Sequence, residues 1–147
     1  MISKISINCH SSIKIKDEKT FYFDPYNIKE KTSDADYIFI THDHYDHLDI
    51  TSIKNIANEN TLVIMPTSIP KENLEPVIND RQLITVCPNE DYYIDGINVH
   101  TVPSYNVNKD FHKKIYNWVG YIIELNNEKI YIAGDTDVNE DIKKVKC

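Results

Sequence analysis

Tyr37-Ile38-Phe39-Ile40-Thr41-His42-Asp43-His44-Tyr45-Asp46-His47-Leu48-Asp49 is the stretch from which the rest of the chain can be read. Three of the six histidines in the 147 residues fall within six positions here. A chance His-x-His-x-Asp-His is expected in roughly one chain in a thousand of this size and composition. Tyr37–Ile40 is a continuous apolar run with polar flanks, which fits a strand covered on both faces. Ile50, Ile53 and Ile56 then recur at helical spacing behind an Asp49 or Thr51 cap. Polar residues at the end of such a strand sit where layered α/β folds open their sites. In extended backbone, residues i and i+2 point to one side, so His42 and His44 can grip a single ion. Asp46 and His47 follow a turn later and reach a second position nearby. Imidazole and carboxylate suit Zn, and also Mn, Fe or Co. Two ions ~3.5–4 Å apart can share a bridging hydroxide, a nucleophile at neutral pH. A solvated loop in which His and Asp merely pair is the plainer reading of any one of these residues, but not of the cluster.

Before this stretch the chain reads as β. Ile2, Ile5 and Ile7, then Ile13 and Ile15, then Phe21 and Phe23 form short alternating runs, with Asp17-Glu18-Lys19 as a hairpin turn. Pro25 lacks a donor for a ladder, so the chain leaves the sheet near Asp24-Pro25. After it, Leu62–Met65 is a buried-type strand stopped by Pro66, and Pro70 and Pro76 leave room for a short helix at most. Leu83–Val86, Tyr92–Ile94, Ile97–Val102, Val119–Leu125 and Lys129–Ala133 are further strands, with Asp95-Gly96 and Asn126-Asn127 as hairpin signals. An antiparallel-rich α+β or a layered α/β fold follows, in one domain over residues 1–147.

Composition narrows the function classes. Sixteen Lys and Arg against 23 Asp and Glu give a net charge of −7, with basic clusters only at Lys113-Lys114 and Lys143, Lys144, Lys146. Such a chain lacks the basic face that nucleic acid requires. Three glycines exclude a glycine-rich phosphate loop. No apolar run approaches the ~18 residues of a membrane span, and Met1–Ile7 alternates rather than forming a signal peptide, so no membrane partner is expected. Cys9, Cys87 and Cys147 are odd in number and widely spaced, as reduced thiols of a cytoplasmic protein are.

His42-x-His44-x-Asp46-His47 after an apolar strand resembles the signature of the metallo-β-lactamase fold superfamily. Asn8-Cys9-His10-Ser11-Ser12-Ile13 is similar to an opening Gly-His-Ala/Ser turn in one branch, and Phe23-Asp24-Pro25-Tyr26 to its Ile-Asp-Pro-Tyr element. Ile130-Tyr131-Ile132-Ala133-Gly134-Asp135-Thr136 looks like its strand ending in Gly-Asp-Thr. That branch holds small metal-dependent hydrolases similar to ascorbate-6-phosphate lactonases and N-acyl-phosphatidylethanolamine phospholipase D-like enzymes. The resemblance runs in order from residue 1 to about residue 138, and His-x-His-x-Asp-His with Gly-Asp-Thr is its specific part. It implies an αββα sandwich of the α/β class.

The resemblance assigns His42 and His44 to a first metal, Asp46 and His47 to a second, and Asp135 as a bridge. The third histidine of the first site usually follows a Val-Pro-Ala stretch. Here Val102-Pro103-Ser104-Tyr105-Asn106 puts Asn106 in that slot, and His112 lies six residues later, able to fold back. Either Asn106 or His112 fills the position, and His112 is the stronger choice. His10 is expected near the metals as a substrate contact or a support. The family continues past Gly-Asp-Thr to another ligand histidine, whereas this chain stops at Cys147. The expectation is a fold truncated in its C-terminal half, with apolar surface that a homo-oligomer would cover.

The implied chemistry is hydrolysis of an ester, lactone, amide or phosphodiester in a small-molecule substrate by metal-bound hydroxide. Asp46 would hold the metal, orient the hydroxide or accept its proton. Zn2+, up to two per chain, is the expected cofactor, with Mn2+ or Fe2+ also compatible. The alternatives are an inactive, partly metal-binding remnant and a di-iron oxygen or redox member of the same fold.

Overall fold

The computed structural model describes residues 4–146. Strands β1 (Lys4–Ile7), β2 (Ile13–Lys16) and β3 (Thr20–Phe23) form an antiparallel meander. Strands β4 (Tyr37–Phe39), β5 (Leu62–Pro66) and β6 (Leu83–Val86) add in parallel, giving a six-stranded sheet in chain order. Strands β7 (Asp91–Ile94), β8 (Ile97–Pro103), β9 (Val119–Leu125) and β10 (Glu128–Ile132) make a second, antiparallel sheet. Of the expected first run, Ile2 lies outside the described residues.

The apolar runs become strands covered on both faces, as their lack of alternation demands. Phe21, Phe23, Tyr37 and Phe39 enter the core between the sheets, with Val99, Tyr121 and Ile123 opposite. Tyr22, Ile38, Val63 and Met65 face the other way, against Ile53 and Ile56 of helix α1 (Ile50–Ile56) and against Ile69, Leu74 and Ile78. Register puts Phe21 beside Tyr37 and Phe23 beside Phe39, and each ring pair stacks at 5.0 Å. Asp49 caps α1, accepting from the Thr51 N–H at 3.2 Å and the Ser52 hydroxyl at 2.6 Å. The hairpins predicted at Asp95-Gly96 and Asn126-Asn127 turn through left-handed pairs.

Three layers are thus in place: a helical flank, the six-stranded sheet and the four-stranded sheet. The 3-10 turn Ile142–Lys144 lies beside the far face of the second sheet. A cavity of about 690 Å³ lies there, lined partly by Asn98, His100, Ile122, Glu124 and Lys144. No helix among the described residues is long and apolar enough to cross a membrane.

Two contacts fix where the first sheet meets the second. The buried Tyr121 hydroxyl donates to the Ile40 carbonyl at 2.7 Å, and the Val119 N–H donates to Thr41 O at 3.2 Å. The start of β9 is therefore tied to the residues that lead into the histidine cluster.

Candidate metal centre

The chain turns at once after β4. The His44 carbonyl accepts from the N–H of His47 and of Leu48, each at 2.9 Å, and this swings His47 back until its ring lies 3.9 Å from that of His42. The His42 and His44 rings stand edge to face at 4.8 Å.

The carboxylate that organises this turn comes from the end of β3. Asp24 is fully buried and accepts three hydrogen bonds: the Thr41 N–H at 2.8 Å on Oδ1, and the Thr41 hydroxyl and His47 Nδ1, both at 2.7 Å, on Oδ2. The Thr41 hydroxyl spends its proton on Asp24, so its lone pair receives His42 Nδ1–H at 2.8 Å. Both imidazoles thereby carry hydrogen on Nδ1 and present Nε2 toward the site, the arrangement that orients metal-ligating histidines. His42 Nε2 is buried without a hydrogen-bond partner. A buried lone pair of this kind costs free energy unless something satisfies it.

What surrounds that atom is a set of donors. His42, His44 and His112 each offer a ligand atom within 4.8 Å of the others. His112 arrives because the chain after Asn106 folds back: the Asn106 N–H donates to His112 O at 2.6 Å, with Asn108 and His112 in left-handed backbone. The His112 ring lies 4.6 Å from His44 and 5.1 Å from His42. Asn106 itself enters through its backbone, closing the loop that delivers the histidine. Trp118 packs on all three rings at 4.9, 4.9 and 5.1 Å.

A second group lies beside the first. Asp135 Oδ2 is 3.1 Å from His47 Nε2 and 3.7 Å from His42 Nε2, between the two histidines. Asp46 Oδ2 is 3.7 Å from His47 Nε2 and 3.7 Å from His10 Nδ1. His10 is half exposed, in left-handed backbone, its ring edge-on to Tyr26. Gly134, at φ +69°, brings Asp135 in; a Cβ there would sit 3.1 Å from the Thr41 side chain and 3.2 Å from Ser104 Oγ. Asp24, His42 and His47 also offer atoms within 4.8 Å of one another, but the carboxylate oxygens of Asp24 are already taken by Thr41 and His47. Asp24 serves as an orienting group behind the site.

Without an ion the electrostatics are tense. Burial and the neighbouring His47 charge push His42 down to about 3. Burial also opposes charge on His47, but hydrogen bonds to Asp135 and Asp24 overcome it and raise the group to about 10. The His47 hydrogen bond lowers Asp135, while burial raises Asp24 against the pull of His47 and Thr41. Carboxylates and imidazoles that converge this closely make a site arranged for a cation. The donor set of nitrogen and carboxylate oxygen fits a divalent transition metal.

Sequence reasoning assigned no role to Asp24 at the cluster. The Asp24-Pro25 step carried a signal, since an aspartate ending a buried strand needs donors, but it reads equally as a strand stop.

The whole described chain, residues 4–146, matches the family model of the beta-lactamase superfamily domain. The chain belongs to that family. It is 28% identical over 148 residues to a UPF0173 metal-dependent hydrolase of Thermococcus onnurineus, covering 95% of this chain and 64% of the relative. A Thermoplasma volcanium protein of the same description is 29% identical over 152 residues, covering 97% and 65%. This chain therefore spans somewhat under two thirds of the length of these curated relatives. Among solved structures, a protein from Parabacteroides distasonis superposes with a TM-score of 0.77 at 23% identity, covering 96% of this chain and 64% of that one. Igni18, a metallo hydrolase from Ignicoccus hospitalis, does so with 0.70 at 19%, covering 95% and 63%. These likenesses show the metallo-β-lactamase fold.

Proposed function

We propose that this chain carries the metal centre of a hydrolase acting on a small-molecule ester, lactone, amide or phosphodiester. The observation that carries this reading is the buried, unpartnered His42 Nε2 facing His44, His112 and Asp135. His42, His44 and His112 would hold a first ion, and Asp46 and His47 a second, with the Asp135 carboxylate available beside His42 and His47. A divalent ion at such a site supplies Lewis acidity, polarising the scissile group and lowering the pKa of bound water toward about 7. Zn2+ is the metal favoured by the donors, and Mn2+ or Fe2+ fit the same set.

The chain's own groups do the rest. Asp24 fixes the tautomer of His47 directly and that of His42 through Thr41. Asp46, reached from solvent past His10, orients the attacking water and accepts its proton. His10, at the rim, contacts the substrate side of Asp46.

The test is metal content and hydrolysis in one preparation. Protein loaded with Zn2+, Mn2+ or Fe2+ is assayed on p-nitrophenyl ester, lactone, anilide and phosphodiester probes. Hydrolysis that tracks bound metal, and the loss of both in a His42→Ala/His44→Ala variant, is the expected result. Turnover that persists in that variant overturns the reading, and oxygen consumption by the iron form without hydrolysis replaces it with redox chemistry.

A further inference from the structure

We infer that the groove of about 330 Å³ beside the histidines, walled by Asp43, Ser68, Ile115, Tyr116 and Trp118, receives an apolar, uncharged substituent of the substrate and disfavours anionic ones. This rests on the hydrolase reading and specifies its substrate class.

Position comes first. Trp118 forms one wall of the groove and touches His42, His44 and His112, so a group seated against the indole lies next to the proposed metal ligands. Tyr116 packs on Trp118 at 5.0 Å with the planes inclined by 47°, leaving an aromatic corner for an aryl or branched alkyl group. Ile115, 77% exposed, and Tyr116, 40% exposed, complete that wall. Adjacent exposed apolar side chains beside a polar metal site are the kind of patch that marks ligand contact.

Charge comes second. No lining residue is basic, and the one ionisable side chain of fixed charge is the Asp43 carboxylate. Of the loop's three lysines, Lys109 pairs with Asp137 at 3.0 Å, Lys114 pairs with Asp141 at 2.9 Å while lying over the Tyr105 ring, and Lys113 does not line the groove. Phosphate recognition calls for arginine, lysine or a helix N-terminus, and the groove offers none. Asp43 further repels an anion placed there.

Trp118 is the only tryptophan, so its fluorescence reads the groove without metal or turnover. Metal-free protein is titrated with N-benzylacetamide and with benzylphosphonate. Saturable quenching by the amide, about tenfold tighter than by the phosphonate, is expected from the carboxylate repulsion and the missing cation. Ile115→Asp, at an exposed position, should weaken the amide roughly tenfold. Asp43→Asn should narrow the gap between the two probes. Phosphonate binding as tight as the amide, or amide binding indifferent to Ile115→Asp, overturns the inference. Metal-loaded protein separates the two readings. Hydrolysis of a neutral aryl ester that Ile115→Asp leaves untouched removes the groove and keeps the hydrolase. Groove binding with no hydrolysis of any probe removes the hydrolase.

Discussion

Asp24 shows how much one side chain can decide. Replacing it by Asn keeps the size but puts an NH2 donor where an acceptor is needed, facing His47 Nδ1 or Thr41. With the NH2 toward His47, that ring must move its hydrogen to Nε2 and lose the lone pair that faces Asp46 and Asp135. Asp24→Asn is expected to cost about 10–100-fold in metal affinity, measured by competition with a chromophoric chelator, with the fold retained by circular dichroism. Unchanged affinity would mean that the orienting contact carries no weight. Gly134 is constrained differently. At φ +69° with Thr41 and Ser104 at 3.1–3.2 Å, Gly134→Ala should destabilise the chain by about 1–2 kcal/mol in urea unfolding and displace Asp135. Of these two residues, Gly134 was legible in the sequence as the turn before Asp135. Asp24 was not, because its three donors come from residues 41 and 47, which only the parallel pairing of β3 with β4 brings to it.

At the level of elements, the strands and hairpins were the readable part. Continuous apolar runs gave the doubly covered strands, and Asp-Gly and Asn-Asn gave the left-handed turns, because those signals are local. The loop bearing His112 is fixed by contacts far along the chain. The Val107 N–H and Lys109 Nζ both reach Asp137, the Tyr105 N–H reaches Thr136 Oγ1, and the Tyr105 hydroxyl reaches Asp141. No pattern within residues 105–118 states this, which is why sequence ranked His112 ahead of Asn106 but left both open. Asp137→Ala should free the loop and weaken the first ion, while the melting temperature of the metal-free chain changes little. Its carboxyl is lowered from 3.8 by the Lys109 hydrogen bond, so the tether holds above that pH and is lost as pH falls through the lowered value. Tyr121→Phe tests the join between sheets: losing the bond to Ile40 O should cost about 1–2 kcal/mol, read from the denaturation midpoint.

For the whole molecule, the metal-free state and the loaded state compete for one proton. His47 is raised from 6.5 to about 10. The stability this contributes is complete below 6.5 and disappears as pH climbs through 10. An ion at Nε2 needs that proton gone, so uptake at pH 7–8 should release about one proton from His47. Calorimetry in buffers of different ionisation enthalpy measures it, and zero release would show His47 already neutral. The buried carboxylate at the end of β3 has one more consequence. The His-x-His-x-Asp-His segment is not a portable cassette: moved onto another strand without its upstream neighbour, it would carry the same letters and lose its grip on the ion. Selection on this motif is therefore also selection on a residue eighteen positions before it.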